Sequence, residues 1–258
     1  MTTSDIVTDK VRLETLTVAL QPIMDLRTGR VHGFEALLRG PEGTDIGPRD
    51  LLRRARREHW LQELEERAQG LALLAAERFL QGNEILFLNV DSYVPSPRGH
   101  YPHLALEIKE GIGVPPNLLA QLQREHFSLY LDDYGESHGN IESILHIRPR
   151  GLKLSRSLVR GIADDSRRFA IARTLTALAG ELGMELIANG IESGEDLCAA
   201  RSAGFAYGQG HYLGRPMLAP SRARIAATAT LLRGAVIETV MSARHRTPPV
   251  SSPAGETL

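Results

Sequence analysis

The sequence predicts an α/β fold, an irregular (β/α)8 barrel of the TIM type in which the first two strands form an antiparallel hairpin. Eight short runs of apolar and β-branched residues alternate with longer amphipathic stretches between residues 17 and 213, which is the element count of such a barrel. The first two runs are separated only by residues 25–30, too few for the crossover helix that parallel strands need. A doubly wound open sheet alternates in the same way, so spacing alone leaves that alternative open.

The predicted elements follow from the length and periodicity of each run. Strands are predicted where short, mostly apolar runs are typical of burial on both faces: residues 17–24, 31–38, 84–89, 104–108, 127–131, 151–154, 185–188 and 206–213. Helices are predicted where apolar residues recur at helical spacing: residues 49–80, 116–124, 140–146, 164–182 and 194–202, with a last helix at about 221–242. The predicted organisation is therefore a lead-in at 1–16, a barrel domain with its C-terminal helix at 17–243, and a disordered tail at 244–258.

The composition limits the partners and the compartment. The 258 residues include 30 Lys+Arg and 31 Asp+Glu, a formal charge of −1, which excludes an overall electrostatic grip on a nucleic acid duplex or an anionic membrane. The single cysteine, Cys198, excludes an internal disulfide. The N-terminal segment lacks the apolar core of a secretory signal, and no apolar run approaches the ~20 residues of a membrane span. We therefore expect a soluble, cytoplasmic protein.

The basic residues are almost all arginine. Only Lys10, Lys109 and Lys153 are lysines, and a lysine retained in such a chain indicates a position that needs an ammonium group. The basic run at 53–57 is followed at once by acidic residues, which favours a solvated helix face over a nucleic-acid contact.

Polar residues stand at or near the C-terminal ends of the predicted strands, where barrel sites form. They are Glu35, Asn89, Glu107, Asp132, Asp133, Lys153, Asn189 and Gln209. Each alone has a structural explanation, such as pairing with a buried arginine or capping of the next helix. Several carboxylates buried together, however, are costly without a cation, and the first four residues offer oxygen ligands that suit Mg²⁺ or Mn²⁺. The adjacent aspartates permit a second ion, and a pair of metals serves displacement at phosphorus, with Lys153 as an electrostatic partner.

With these residues the sequence resembles the EAL-domain family of cyclic di-GMP phosphodiesterases over about residues 18–216. The naming tripeptide is Glu35-Ala36-Leu37. The other matching segments follow in one order along the chain: Gln21-Pro22-Ile23, Glu35 to Arg39, Asn89, Leu106-Glu107-Ile108, Asp132-Asp133-Tyr134-Gly135, Lys153, Gly190-Ile191-Glu192, Gln209-Gly210 and Gly214-Arg215-Pro216. The resemblance implies an irregular barrel with an antiparallel first hairpin. It also implies metal-dependent hydrolysis of one phosphodiester of cyclic di-GMP, giving the linear dinucleotide pGpG.

The resemblance further implies a role for each site residue. The first metal would be held by Glu35, Asn89, Glu107 and Asp132, and the second by Asp132 and Asp133. Lys153 would contact the attacking water and Gln209 would support the metal-bound water, so that both count as catalytic positions with Glu35 and Asn189. The dinucleotide would be contacted by Gln21, Leu37, Arg39, Asp133, Glu192 and Arg215. Glu110 would anchor the loop after the fifth strand, and a homodimer or a partner protein would complete the assembly.

Four departures from the family pattern affect the residues expected for hydrolysis, whereas the residues expected to bind the first metal and the dinucleotide are kept. Asn189 stands where the family has a glutamate, and an asparagine carries no charge and accepts no proton near neutral pH. Ser137 replaces a glycine in the loop after the fifth strand, Ser155 replaces an aspartate, and His211 replaces an aromatic residue. We therefore expect a regulator that recognises cyclic di-GMP with weak or absent hydrolysis. An active phosphodiesterase is the alternative, and a member that binds only protein is a further one.

A serine hydrolase is a minor alternative from another class of enzyme. Residues 135–139 match the G-x-S-x-G elbow around Ser137, and Asp196 and His211 follow in the order that such hydrolases show. The two aspartates before the motif would place negative charge beside an oxyanion, which disfavours this alternative.

Overall fold

The computed structural model describes residues 13–41, 46–91, 103–109, 115–136 and 141–218. Most of the predicted lead-in, the last helix and the tail lie outside the described residues, and so do Glu110 and Ser137. Among the described helices, none combines the length and the apolar character that a bilayer crossing requires.

The described elements alternate between strands and helices. The strands are β1 (Thr17–Asp25), β2 (Val31–Arg39), β3 (Ile85–Asn89), β4 (Leu104–Lys109), β5 (Ser128–Tyr134), β6 (Gly151–Leu154), β7 (Glu185–Asn189), β8 (Tyr207–Gln209) and β9 (Met217–Leu218). The helices are α1 (Pro48–Arg57), α2 (Leu61–Phe79), α3 (Pro116–Arg124), α4 (Ile141–Ile147), α5 (Arg156–Val159), α6 (Ser166–Glu181) and α7 (Gly194–Ala203), and a 3-10 turn precedes β1 at Leu13–Thr15.

Eight strands close into a barrel. From β2 to β8 each strand pairs in parallel with the next, whereas β1 pairs antiparallel with both β2 and β8 and thereby closes the ring. The predicted hairpin is confirmed, and the closed ring excludes the doubly wound sheet. The short strand β9, which was not predicted, adds to β1 in antiparallel register, with Ala19 opposite Leu218.

The predicted helix at 49–80 is wrong as a single element, because two helices replace it. The break lies at residues 58–60, where His59 has a φ of 62°, a left-handed conformation that a continuous helix does not accommodate. Leu51 and Ala55 of α1 and Leu64 of α2 pack into one apolar cluster. The apolar spacing therefore continues through the break, which is why periodicity alone did not reveal it.

The predicted strand at 206–213 is also too long, because pairing ends at Gln209. The backbone turns after it, with the amide of Leu213 donating to the carbonyl of Gly210. Gly210 lies so close to the backbone of Ile191 that a Cβ there would overlap it. The turn thus fixes the chain that follows β7 against the end of β8.

Alternation along the strands gives the barrel interior an apolar layer beneath a polar one. The apolar layer consists of Ile23, Phe87, Ala105, Tyr130 and Ile187. Two residues further toward the mouth, on the same face of each strand, come the polar side chains Gln21, Asn89, Glu107, Asp132 and Asn189. The intervening residues face outward and pack under the helices. The polar layer therefore rests on an apolar floor that excludes water from below.

At the opposite end of the barrel an acidic residue joins three strands. Glu185 accepts hydrogen bonds from Tyr130 Oη at 2.5 Å and Arg150 Nη2 at 2.9 Å. Burial alone raises the pKa of Glu185, but the His32 ring, with Nε2 3.7 Å from Oε2, outweighs it together with Tyr130 and Arg150 and lowers the pKa to about 2.

Candidate functional site

Lys153 is the centre of the polar layer. Its side chain is 1% exposed, and its Nζ lies 2.8 Å from Glu35 Oε2, 2.9 Å from Glu107 Oε1 and 3.5 Å from Asp132 Oδ1. The four residues come from β2, β4, β5 and β6, whose parallel register aligns their C-terminal ends. The structure thus brings together the carboxylates and the lysine that the sequence singled out.

Amide side chains connect this cluster to the rest of the mouth. Gln209 Nε2 donates to Glu35 Oε2 at 2.7 Å and to Gln21 Oε1 at 3.1 Å. Gln21 in turn donates from Nε2 to the carbonyl of Gly214 at 3.0 Å, and Asn89 Nδ2 donates to Glu35 Oε1 at 3.3 Å. Both oxygens of Glu35 therefore accept hydrogen bonds, and its carboxylate is fixed in direction.

Burial and charge set the protonation states of the cluster. Burial tends to lower the pKa of Lys153, but the three carboxylates outweigh it and raise the pKa well above its usual value. Burial raises the pKa of Glu107 well above its usual value and the pKa of Asp132 to about 6. For Glu35, burial raises the pKa, but Lys153 and the amide donors lower it overall. One ammonium group is therefore shared by three buried carboxyl groups.

Acceptor atoms in this cluster lack partners. Glu107 Oε2, Asp132 Oδ1 and Gln209 Oε1 are buried and make no hydrogen bond, which is costly for oxygen atoms removed from water. Carboxylate and amide oxygens are the ligands that hard divalent cations prefer, so the donor set fits such an ion. In the described part of the chain no group of three or more His, Cys, Asp or Glu side chains is already arranged around an ion position.

A cavity of about 530 Å³ opens beside the carboxylates, a size that suits a small-molecule ligand. Its lining includes the predicted site residues Glu35, Leu37, Asn89 and Asp132. Arg49, Arg53 and Arg56 of α1 form a basic wall, and Leu64, Ala68 and Ala72 of α2 form an apolar one. The site thus offers cationic, anionic and apolar surfaces to one ligand.

Residues 53–57 form a solvated helix face, as predicted, and part of that face also lines the cavity. Arg49, Arg53 and Arg56 are spaced by four and three residues, so they share one face of α1. Although they are exposed, all three line the cavity. Arg56 also pairs with Asp91, at 2.5 Å between Nη2 and Oδ2.

Lys109 and Asp133 form a second ion pair at the mouth. Lys109 Nζ lies 2.6 Å from Asp133 Oδ2, and the side chains are 45% and 21% exposed. Asp133 has a φ of 53°, a left-handed backbone conformation that interrupts the regular geometry of the strand. The sequence pointed to Lys109 only through the scarcity of lysine.

Other predicted site residues lie on the rim of the mouth. Asn189 ends β7 beside Gln209 of β8 in the parallel register and is partly exposed. Arg39 ends β2, and its Nη1 donates to the carbonyl of Leu38 at 2.8 Å. Burial lowers the pKa of Arg39 below its usual value, and the negative charge of Glu35 offsets part of this change.

Glu192 and Arg215 are not part of the carboxylate cluster. Glu192 pairs with Arg156 and with Arg160, whose Nε lies 3.0 Å from its Oε2. Arg215 is exposed in the segment after β8. Their roles as ligand contacts stay predictions.

Residues 4–216 match the family model of the EAL domain. The chain belongs to the EAL domain family. This EAL chain is 25% identical over 219 residues to the probable cyclic di-GMP phosphodiesterase PdeD of Escherichia coli, covering 76% of this chain and 41% of that protein. It is 26% identical over 230 residues to the cyclic di-GMP phosphodiesterase NbdA of Pseudomonas aeruginosa, covering 80% and 29%. The chain therefore spans less than half the length of these relatives.

A solved structure of the EAL family shares the fold. BlrP1 of Klebsiella pneumoniae, in a complex with calcium and cyclic di-GMP, superimposes with a TM-score of 0.72 at 22% identity, over 83% of this chain and 59% of that one. Its manganese complex at pH 6 gives the same TM-score at 23% identity, over 80% and 57%. The predicted family and the irregular barrel are both confirmed.

Proposed function

We propose that the mouth of this EAL barrel binds cyclic di-GMP together with a divalent cation, Mg²⁺ or Mn²⁺, and that hydrolysis is weak or absent, so that the chain acts as a regulator. The observation that carries this proposal is the pair of buried carboxylate oxygens without hydrogen bonds, on Glu107 and Asp132, beside a cavity of about 530 Å³. Three buried carboxyl groups share the single positive charge of Lys153 there, so the position, next to a space for a ligand, is suited to a cation that also contacts phosphate.

The cation would be held by Glu35, Asn89, Glu107 and Asp132. These residues supply three carboxyl groups and one amide oxygen, which suit a hard ion of this kind. The BlrP1 complexes, which contain calcium or manganese together with cyclic di-GMP, support a divalent ion at this position. When bound, such an ion polarises a phosphoryl oxygen and lowers the pKa of a bound water.

The dinucleotide would meet complementary surfaces in the cavity. Cyclic di-GMP carries two phosphodiester anions and two flat guanine bases. Arg49 and Arg53 of α1 line the cavity, and Arg39 lies next to this lining at the end of β2, bonded to the carbonyl of Leu38. Guanidinium groups bind phosphate through two parallel hydrogen bonds. Leu37 of β2 and the apolar wall of α2 suit the faces of the bases. The names of PdeD and NbdA support the same ligand.

Hydrolysis would need a group that accepts a proton, and the rim offers an amide instead. Water adds across one P–O bond, so the attacking water must give up a proton while the sugar oxygen gains one. Asn189 cannot accept that proton near neutral pH. Lys153 cannot accept it either, because its pKa lies well above the usual value and the ammonium stays protonated. Loss of a general base typically costs about 10²–10⁴ in rate.

A calorimetric titration with cyclic di-GMP in the presence of Ca²⁺, which suppresses turnover, tests recognition. We expect saturable binding by the wild-type chain and at least about tenfold weaker binding by Arg39→Ala, since a charge-assisted phosphate contact is worth about 1.5–3 kcal/mol. Arg124→Ala, at the C-terminal end of α3 and hence at the opposite end of the barrel, is the matched control and should bind like the wild type. Absence of binding at ligand concentrations of about 500 µM, where even a weak specific complex is detected, would overturn the proposal.

A homodimer or a partner protein remains the expected means of regulation. Helix α4 exposes two large apolar side chains one turn apart, Ile141 and Leu145, and apolar side chains on a common face are typical of association surfaces. Equilibrium sedimentation of the wild-type chain and of Leu145→Glu tests this expectation.

A further inference from the structure

Lys109, the last residue of β4, is the feature of the mouth that the proposed function leaves unexplained. Its side chain lines the cavity together with Asp132, and its Nζ contacts Asp133. Lys109 and Lys153 are two of only three lysines among 30 basic residues, and both contact carboxylates at the mouth. In a chain that otherwise uses arginine, this distribution indicates that both positions need an ammonium group.

A backbone irregularity in β5 separates the two adjacent aspartates. The pairing of β5 with β6 shifts register across them, and Asp133 has a left-handed backbone that a residue other than glycine rarely adopts. A bulge of this kind redirects side chains that would otherwise alternate. Asp132 consequently faces Lys153, whereas Asp133 faces Lys109. The two adjacent aspartates therefore contact different ammonium groups.

This arrangement does not fit a second divalent ion shared by the two aspartates. Lys153 and a first divalent ion together carry a charge of +3, which the three carboxylates of Glu35, Glu107 and Asp132 match. Lys109 and a second ion would also carry +3, but the carboxylate left to offset it is that of Asp133. Asn189, on the same rim, contributes no negative charge that would offset the repulsion. The ammonium and the second ion therefore exclude each other.

We propose that Lys109 is the second cation of this site: its ammonium holds Asp133 and faces the cavity in place of a second divalent ion, so that the chain binds a single divalent ion. The inference rests on the proposed function, because it names the cation that meets the ligand phosphate from the β4 side. An ammonium group donates hydrogen bonds to phosphate but does not lower the pKa of a bound water as a metal does. The replacement thus preserves binding and adds to the loss of hydrolysis at Asn189.

Manganese alone is the probe that tests this inference, with no nucleotide present. The number of Mn²⁺ ions bound per chain is counted by electron paramagnetic resonance of the free ion and by calorimetry, for the wild type, Lys109→Met and the charge-preserving control Lys109→Arg. We expect one ion for the wild type and for Lys109→Arg, and two for Lys109→Met, in which Asp133 is released. Lys109→Gln replaces Lys109→Met if circular dichroism shows that the latter does not fold.

Two ions in the wild type would overturn the inference, and so would a single ion in both Lys109→Met and Lys109→Gln. A wild-type chain that binds no Mn²⁺ but still binds cyclic di-GMP would also overturn it, while nucleotide recognition would stand. Conversely, one ion in the wild type, two in Lys109→Met and no nucleotide binding would refute the proposed ligand and leave the role of Lys109 intact.

Discussion

Replacement of Lys153 by methionine removes the only ammonium group that contacts Glu35, Glu107 and Asp132 in the described mouth. The side chain is 1% exposed, so no water replaces the lost charge. Removal of one partner of a buried ion pair costs about 3–5 kcal/mol, and we expect Lys153→Met to lower the free energy of unfolding by that amount at pH 7.5. Methionine has a similar length, so little of the loss arises from a cavity.

The loss should depend on pH and on metal. Burial raises the pKa of Asp132 to about 6 and that of Glu107 well above its usual value. The charge of Lys153 lowers both pKa values, so in the variant the two carboxyls take up protons at a still higher pH. When the pH falls from 7.5 to 5 their mutual repulsion is lost, and the variant should recover part of its stability. Mn²⁺ at 100 times its dissociation constant should restore about 2.7 kcal/mol, because the ion supplies the missing positive charge.

Urea denaturation followed by circular dichroism measures these changes. Lys109→Met is the matched control: it removes the same group from the same mouth, but at a position that is 45% exposed, so it should cost less than about 1 kcal/mol. Equal losses for the two variants, or a loss below about 1 kcal/mol for Lys153→Met, would refute the description of Lys153 as the counter-ion of the cluster.

Three further predictions concern other parts of the barrel. The pKa of Glu185 is lowered to about 2, so its contribution to the free energy of unfolding is fully present above pH 4.5 and is lost as the pH falls toward 2. Glu185→Gln should lack this acid-sensitive contribution, which is about 1–2 kcal/mol after allowance for solvent screening. Urea titrations of both chains at pH 5 and pH 3 measure the difference. Gly210→Ala should lower the free energy of unfolding by about 3 kcal/mol or more, since its Cβ would overlap the backbone of Ile191. Gly180→Ala, where a Cβ meets no other atom, should raise it by up to about 1 kcal/mol. Equal thermal midpoints for the two variants would contradict this prediction. Asn189→Glu should raise the initial rate of pGpG formation at least about tenfold by restoring a proton acceptor, and an unchanged rate would show that the base is not what limits turnover.

The fold was predictable because it depends on local patterns. Buried parallel strands appear as short apolar runs, and the five residues between β1 and β2 leave room only for a hairpin. The break at His59 was not predictable, since the apolar spacing continues through it. The end of β8 was missed for a related reason: Leu213 is fully buried and apolar, but it lies in a turn.

The site was predictable where it depends on strand alternation. Glu107 and Lys153 stand between outward-facing apolar neighbours, so their inward direction followed from the sequence. The partner of Asp133 did not, because the contact with Lys109 requires the bulge in β5. Arg49 was missed because its part in the cavity depends on how α1 packs over β2, a tertiary feature without a local signal.

Chromatographic separation of cyclic di-GMP from pGpG, after incubation with the purified chain and Mg²⁺ or Mn²⁺, tests most directly whether recognition and turnover have been separated. With an amide at position 189 and an ammonium group at position 109, product should form at least about 100-fold more slowly than the ~1 s⁻¹ at the lower end of typical enzymatic rates. Product formation at ~1 s⁻¹ or faster would contradict the account.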